Sequence, residues 1–242
     1  MRWHGLKRYR CIFIGSLENN SMCYFIILSK VNNAPVFVYL TSEGMPNGGE
    51  NLLERLNENG IYISLVEVMV EDWYRDFSPW EAEPLKEGDA PFAGKGEETL
   101  KYIEKVVMQS IEKDIPNNKG VFLVGYSLAG LFSLWALTKS SRMGGAVCCS
   151  SSLWFPGWNE YIENNCLKKA GLVYLSLGEK ESKTKNKFMS KVEENTRKTY
   201  LKLLNDEKCL KSIFEMVPGG HFTNPLERIS DGIEWMLKNM NQ

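Results

Sequence analysis

Residues 121–137 run for 17 positions without a charged side chain, a length at the lower limit of a membrane-spanning helix. The run does not read as one helix. It opens on Val121, Phe122, Leu123 and Val124, breaks at Gly125, and resumes as a stretch rich in Leu and Ala. That pattern is a buried strand passing into a buried helix, with Ser127 at the junction. Only a large core closes over both elements, and a chain of 242 residues is long enough to build one.

The same punctuation recurs along the chain. Two β-rich runs at 9–14 and 23–28 flank a polar turn at 17–21, the signal of an antiparallel hairpin. Strands are then predicted at 36–40, 61–68, 121–125, 145–149, 172–177 and 213–217. Helices are predicted at 50–59, 97–113, 128–139, 159–169, 188–204 and 225–239. Eight strands with helical crossovers make an α/β protein: a mostly parallel sheet with helices on both faces, in one domain over 1–242. Residues 71–96, carrying Pro79, Pro84 and Pro91, read as a long irregular loop of the functional kind. Between the strands at 145–149 and 172–177 there is room for about one helix, so no separate lid domain is expected and the cleft should be open. In such sheets ligands bind beyond the carboxyl ends of the strands, so candidate residues are sought just after them.

Charge narrows the partners. Lys and Arg number 29 against 30 Asp and Glu, which leaves no basic excess for a nucleic acid or an anionic bilayer. The basic patch at Arg2, Lys7, Arg8 and Arg10 lacks the apolar stretch of a signal peptide, and the expectation is a cytoplasmic protein without a membrane partner. The six cysteines, Cys11, Cys23, Cys148, Cys149, Cys166 and Cys209, show no C-x-x-C spacing, and the chain holds only two histidines. No metal site or cofactor is expected, and the thiols are read as reduced and buried, with Cys148 and Cys149 packed as small hydrophobes.

The segment 125–130, Gly-Tyr-Ser-Leu-Ala-Gly, has the form G-x-S-x-A-G at a strand-to-helix turn, the arrangement of a nucleophile elbow in the α/β-hydrolase fold. Small residues on either side of the serine let strand and helix approach, which Gly125 and Ala129 satisfy. A serine hydroxyl needs a neighbouring base, and only His4 and His221 have the ordinary pKa for that work near neutrality. His4 precedes the first strand, whereas His221 follows the last one in Pro-Gly-Gly-His-Phe, so His221 is the candidate base. The fold orders its triad Ser, acid, His, which places the acid after the seventh strand. There Glu179 and Glu181 compete, and Glu181 is favoured because three residues past Gly178 leave room for a turn. Oxyanion donors are sought in the N–H of Leu128 at the helix start and in that of Thr41 or Ser42 after the third strand.

These residues resemble the esterase family of α/β-hydrolases that includes enterobactin and other siderophore esterases, S-formylglutathione hydrolases and feruloyl esterases, over most of the chain. The elbow is similar to the family's G-x-S-x-G-G. Ser150-Ser151-Ser152-Leu153-Trp154 is similar to S-P-S-x-W, 219–221 to the histidine loop, 75–79 to an Arg-Asp loop leading to S-P, and 178–181 to a G-x-x-E acid position. Ala129, Ser151 and the Thr-Ser-Glu-Gly that ends the third strand depart from the pattern.

The resemblance implies a serine hydrolase that cleaves a small-molecule carboxylic ester through an acyl-enzyme, and its rate should fall as pH drops through about 6.5. Tyr126, Trp154, Trp80 and Arg75 are the candidate substrate contacts. Acyl transfer or peptide hydrolysis on the same triad, and a hydrolase-like binding protein without activity, are the alternatives. Oligomeric state is left open.

Overall fold

The structure is a computed structural model that describes residues 15–16, 22–43, 45, 48–86 and 88–240. The strand expected at 9–14, the turn at 17–21, the basic patch, His4 and Cys11 lie outside the described residues. The chain order is β1 (Gly15–Ser16), β2 (Met22–Ser29), β3 (Val36–Ser42), α1 (Gly49–Glu58), β4 (Ser64–Val70), α2 (Trp73–Asp76), β5 (Glu81–Ala82), β6 (Phe92–Ala93) and α3 (Gly96–Tyr102). A π-helical segment (Ile103–Val107) joins α3 to α4 (Met108–Asp114), so that the helix expected at 97–113 is one helix with a bulge. There follow β7 (Val121–Tyr126), α5 (Leu128–Lys139), β8 (Gly145–Cys149), α6 (Trp158–Glu163), β9 (Gly171–Gly178), α7 (Val192–Leu204), β10 (Cys209–Val217) and α8 (Pro225–Asn239).

Eight of the strands form one sheet in the order β1-β2-β4-β3-β7-β8-β9-β10. β2 runs antiparallel to β1 and to β4, and every pairing from β4 to β10 is parallel. The α/β-hydrolase fold read from the sequence is the fold observed. Alternation divides the core between the two faces. Val36, Val38 and Leu40 of β3, with Leu123 of β7 and Cys148 of β8, pack towards α5, whereas Phe37, Tyr39, Val124 and Cys149 pack towards α1 and α8. A sheet covered on both faces needs apolar residues at every position of its central strands, which is why β7 and β8 read as unbroken apolar runs. Helix α5 is buried from Leu128 to Thr138. The 17-residue uncharged run is therefore two core elements, and among the described residues no helix is long and apolar enough to cross a membrane.

Two segments differ from expectation. Residues 71–96 are not structureless: Asp72 caps α2 by accepting from the N–H groups of Tyr74 (3.0 Å) and Arg75 (2.9 Å), and β5 pairs with β6. The helix expected at 159–169 ends at Glu163. Leu167 N–H donates instead to the carboxylate of Asp206 (2.8 Å), which pulls the chain out of helical geometry towards β9.

Candidate active site

Strand β7 delivers Ser127 to the carboxyl edge of the sheet in a backbone conformation of φ 57° and ψ −122°. A left-handed φ at a non-glycine residue costs on the order of 1–3 kcal/mol and persists only where surrounding bonds impose it. Here they do. Ser127 N–H donates to Cys149 O (3.0 Å), and Ser127 O accepts from Ser152 N–H (3.0 Å) and Leu131 N–H (3.1 Å). The sharp turn is possible because Gly125 has no side chain: a Cβ there would meet the Ala129 carbonyl and stand 2.6 Å from Gly130 N.

The elbow aims the Ser127 hydroxyl at the histidine loop. Ser127 Oγ lies 3.1 Å from His221 Nε2, and His221 Nδ1 lies 2.7 Å from Glu181 Oε2. Three side chains spread over 94 residues of sequence thus form one chain of hydrogen bonds. The His221 side chain is 23% exposed and that of Glu181 only 4%. Glu179, the other candidate acid, is exposed. The acid and histidine loops are tied together by main-chain bonds, Glu179 N–H to Val217 O and Lys180 N–H to Gly219 O, both 3.0 Å.

Glu181 is held as an anion. Burial pushes its carboxyl up, but the bond and charge of His221, the Ser150 hydroxyl and the Gly178 N–H outweigh that effect and bring it below its ordinary value. Oε1 accepts from Ser150 Oγ and from Gly178 N–H, both at 2.7 Å, and from Arg228 Nη1 at 3.1 Å. Ser150 is itself left-handed at φ 47°. Tyr126, whose hydroxyl donates to the His221 carbonyl, has its pKa pushed up to about 12 by burial, so it stays a neutral donor.

On the other side of the elbow, β3 carries the two backbone donors singled out in the sequence. Val36 N–H donates to Gly120 O on the β7 side and Glu43 N–H to Val70 O on the β4 side. Parallel pairing alternates, so the N–H of Thr41 faces β4 and that of Ser42 faces the elbow side. Pairing with β7 ends at Tyr39 opposite Val124, which leaves Ser42 N–H outside that ladder. Leu128 is the first residue of α5, where helical geometry leaves N–H groups without intrahelical partners. Beneath this corner Glu67 accepts from Thr41 Oγ1 (2.9 Å) and from Gly49 N–H at the start of α1 (2.7 Å).

A cleft of about 410 Å³ opens over Ser127 and His221. Its walls include Trp73, Tyr74, Leu85 and Phe92 from the 71–96 segment, and Trp154 and Phe222 from loops beside Ser127 and His221. Among the described residues no Lys, Arg, Asp or Glu lines it. Tyr126 and Trp154 stand on the cleft as expected, but Arg75 and Trp80 do not. Arg75 is turned onto the buried Asp76, with Nε 2.9 Å from Oδ1. Trp80 donates its indole N–H to Pro156 O (2.8 Å) and packs on Phe155 and Tyr161. Trp80 thereby holds the 71–96 segment against the body of the protein, while the Arg75–Asp76 pair lies within the segment itself.

Three site residues escape a reading by motif. Ser152, with Oγ 3.3 Å from Ser127 Oγ, and Ser150 belong to the Ser-Ser-Ser-Leu-Trp segment, but nothing in that string separates the three hydroxyls. Arg228, 3% exposed, looks in sequence like any charged residue of an amphipathic helix. Only the crossing of α8 over β8 and β9 brings it beneath the acid.

Comparison with known proteins bears on the fold and the family. Among curated proteins, none matches the sequence. Of solved structures, the siderophore hydrolase EstA from Aspergillus nidulans is similar with a TM-score of 0.73 at 18% identity, covering 98% of this chain and 96% of its own. An IroE-like serine hydrolase from Shewanella oneidensis is similar at 0.72 and 18%, covering 94% and 79%. Enterochelin esterase from Shigella flexneri is similar at 0.64 and 16%, covering 96% and 58%. At such identities the likeness is one of fold. The family model described as "Putative esterase" matches residues 50–225, close to three quarters of the chain, and the chain belongs to that esterase family.

Proposed function

We propose that this esterase cleaves a small-molecule carboxylic ester through an acyl-enzyme, with Ser127 as nucleophile, His221 as base and then acid, and Glu181 as the group that orients the imidazole. The observation that carries the reading is the unbroken chain from Ser127 Oγ to His221 Nε2 (3.1 Å) and from His221 Nδ1 to Glu181 Oε2 (2.7 Å). In the productive tautomer Nδ1–H donates to Glu181 and Nε2 accepts from the serine hydroxyl. Attack of Oγ on the ester carbonyl passes its proton to Nε2, and Glu181 stabilises the imidazolium that results. The negative charge that develops on the carbonyl oxygen is met by the N–H groups of Leu128 and Ser42. Thr41 N–H is spent in the ladder with β4, which favours its neighbour. Such a donor typically contributes about 3–4 kcal/mol to transition-state stabilisation. The imidazolium then protonates the departing alkoxide, and water, deprotonated by His221, releases the acid and regenerates Ser127.

The cleft favours one class of acyl group. A lining of Trp, Tyr, Phe and Leu side chains without a charged residue accepts a neutral apolar or aryl acyl chain, and its volume is in the usual range for small-molecule sites. Ser127→Ala is expected to lower kcat on p-nitrophenyl acetate by about 10⁴-fold or more, to abolish labelling by a fluorophosphonate, and to leave the melting temperature near that of the parent. Retention of the parent rate in a clean preparation overturns the proposal.

A further inference from the structure

A guanidinium buried as deeply as that of Arg228, at 3% exposure, must find an acceptor for its N–H groups and a counter-charge. Nη1 donates to Ser150 Oγ (2.8 Å), Glu181 Oε1 (3.1 Å) and Tyr126 Oη (3.2 Å), and Nη2 donates to the carbonyls of Gly220 (2.9 Å) and Pro218 (3.1 Å). Five acceptors on four separate segments therefore meet at one side chain. Tyr126 precedes the nucleophile, Ser150 follows β8, Glu181 sits on the acid loop, and residues 218 and 220 flank the turn into His221. Arg228 itself lies off the cleft wall and does not touch the reacting hydroxyl.

We propose that Arg228 is the positioning residue of the site, clamping the acid loop and the histidine loop to the elbow so that one carboxylate oxygen of Glu181 is left for the imidazole. Oε1 is fully engaged by Arg228, Ser150 and Gly178, and Oε2 is turned to Nδ1. The relay has a fixed sense: Arg228 donates to Ser150 and Tyr126, Ser150 donates to Glu181, and Tyr126 donates to the His221 carbonyl. The titratable groups around the guanidinium are Glu181 and Tyr126, with Cys149 of β8 donating its thiol to the Arg228 carbonyl (3.4 Å). A planar fork suits this task better than an ammonium, because its N–H directions are fixed relative to one another.

The inference rests on the triad reading, and the test separates the two. The parent, R228M, R228Q and R228K are compared by thermal melting, by the rate of fluorophosphonate labelling of Ser127, and by kcat and KM for p-nitrophenyl butyrate from pH 5 to 9. R228M is expected to lower kcat by about 10²-fold, the effect of misplacing a catalytic group by an ångström, while KM changes by less than about threefold. R228M and R228Q should also move the acid limb of the kcat/KM profile up by about one pH unit, because the Glu181 carboxylate loses its balancing cation. R228K keeps the charge, so its limb should stay in place and at least about tenfold of the lost kcat should return. A purely structural arginine would not move the limb in this charge-dependent way. A folded R228M with parental kcat and an unmoved limb overturns the inference while leaving the triad standing. A parent that the fluorophosphonate does not label overturns both. Should R228M fail to fold, R228Q and R228K decide alone: a raised limb in the first and not in the second supports the clamp, and identical profiles refute it.

Discussion

Replacing Gly178 by alanine drives a wedge between the loops that carry Glu181 and His221. The backbone at Gly178 is not left-handed, so alanine costs nothing in conformation and the effect is one of space. A Cβ there would stand 2.7 Å from Gly219 O, 2.9 Å from Glu181 Oε1 and 3.0 Å from Arg228 Nη2. Ordinary contact begins at 3.4 Å, so Gly219 O must retreat by about 0.7 Å, and it belongs to a main chain already bonded to Lys180 N–H. Overpacking against atoms that cannot swing away costs typically 1–3 kcal/mol, and we place this case at about 2–3. For a chain of this size the melting temperature should fall by roughly 4–12 °C. Because the yielding atoms carry the acid and the histidine loop, kcat should fall by about 10²-fold as well. Gly220→Ala is the control for stability: nothing lies within 4 Å of its Cβ and its φ is not left-handed, so its melting temperature should stay within a few degrees of the parent. The assay is a thermal melt followed by circular dichroism, paired with p-nitrophenyl butyrate turnover on the same samples. A G178A protein that melts within 2 °C of the parent and retains its turnover refutes the packing argument.

Two further outcomes follow from the buried carboxylates. Glu181→Gln keeps the shape but removes the anion that steadies the imidazolium, and kcat should drop by on the order of 10³–10⁴-fold. Since the folded state depresses the Glu181 pKa, its stabilising contribution is present above the ordinary value of 4.5 and is lost as pH falls through the depressed one. The pH dependence of melting below 4.5 should therefore flatten in E181Q, and an unchanged acid slope counts against the depression. Glu67 has the opposite sign: burial, offset in part by the Gly49 N–H and the Thr41 hydroxyl, raises its pKa. The folded state then holds the proton more tightly than the unfolded chain, and stability declines as pH rises from 4.5 through the elevated value. Glu67→Gln mimics the protonated side chain and keeps an acceptor for Thr41 and Gly49, so it should melt above the parent at neutral pH, by a margin that narrows on acidification; a lower melting temperature at pH 7 contradicts this.

Most of the architecture is legible in the sequence. Helices at 128–139 and 225–239 and the strand at 145–149 coincide with the observed elements, because the first helix and the strand are unbroken apolar runs and the second helix alternates apolar and polar faces after Pro225. Elements of four residues or fewer, such as α2 and the β5–β6 pair, are too short to show a period, and the 71–96 segment consequently read as irregular. In the site, Ser127, Glu181 and His221 stood out because each follows a strand in a recognisable string. Arg228 did not, since its partners lie on four segments that only tertiary structure assembles. Arg75 is expected as a contact from the Arg-Asp loop of the resemblance and Trp80 from its aromatic character, and each instead satisfies a polar group within its own surroundings, Asp76 for one and the Pro156 carbonyl for the other.

The 71–96 segment supplies Trp73, Tyr74, Leu85 and Phe92 to the cleft but no atom to the hydrogen bonds that join Ser127, His221 and Glu181. Part of the cleft wall is thus written in a stretch of chain that takes no part in that hydrogen-bonded chain. On the proposed mechanism, a substitution at one of those four side chains would redraw the outline of the cleft and leave the Ser127–His221–Glu181 hydrogen bonds as they are, so that substrate range could drift without any change to the chemistry.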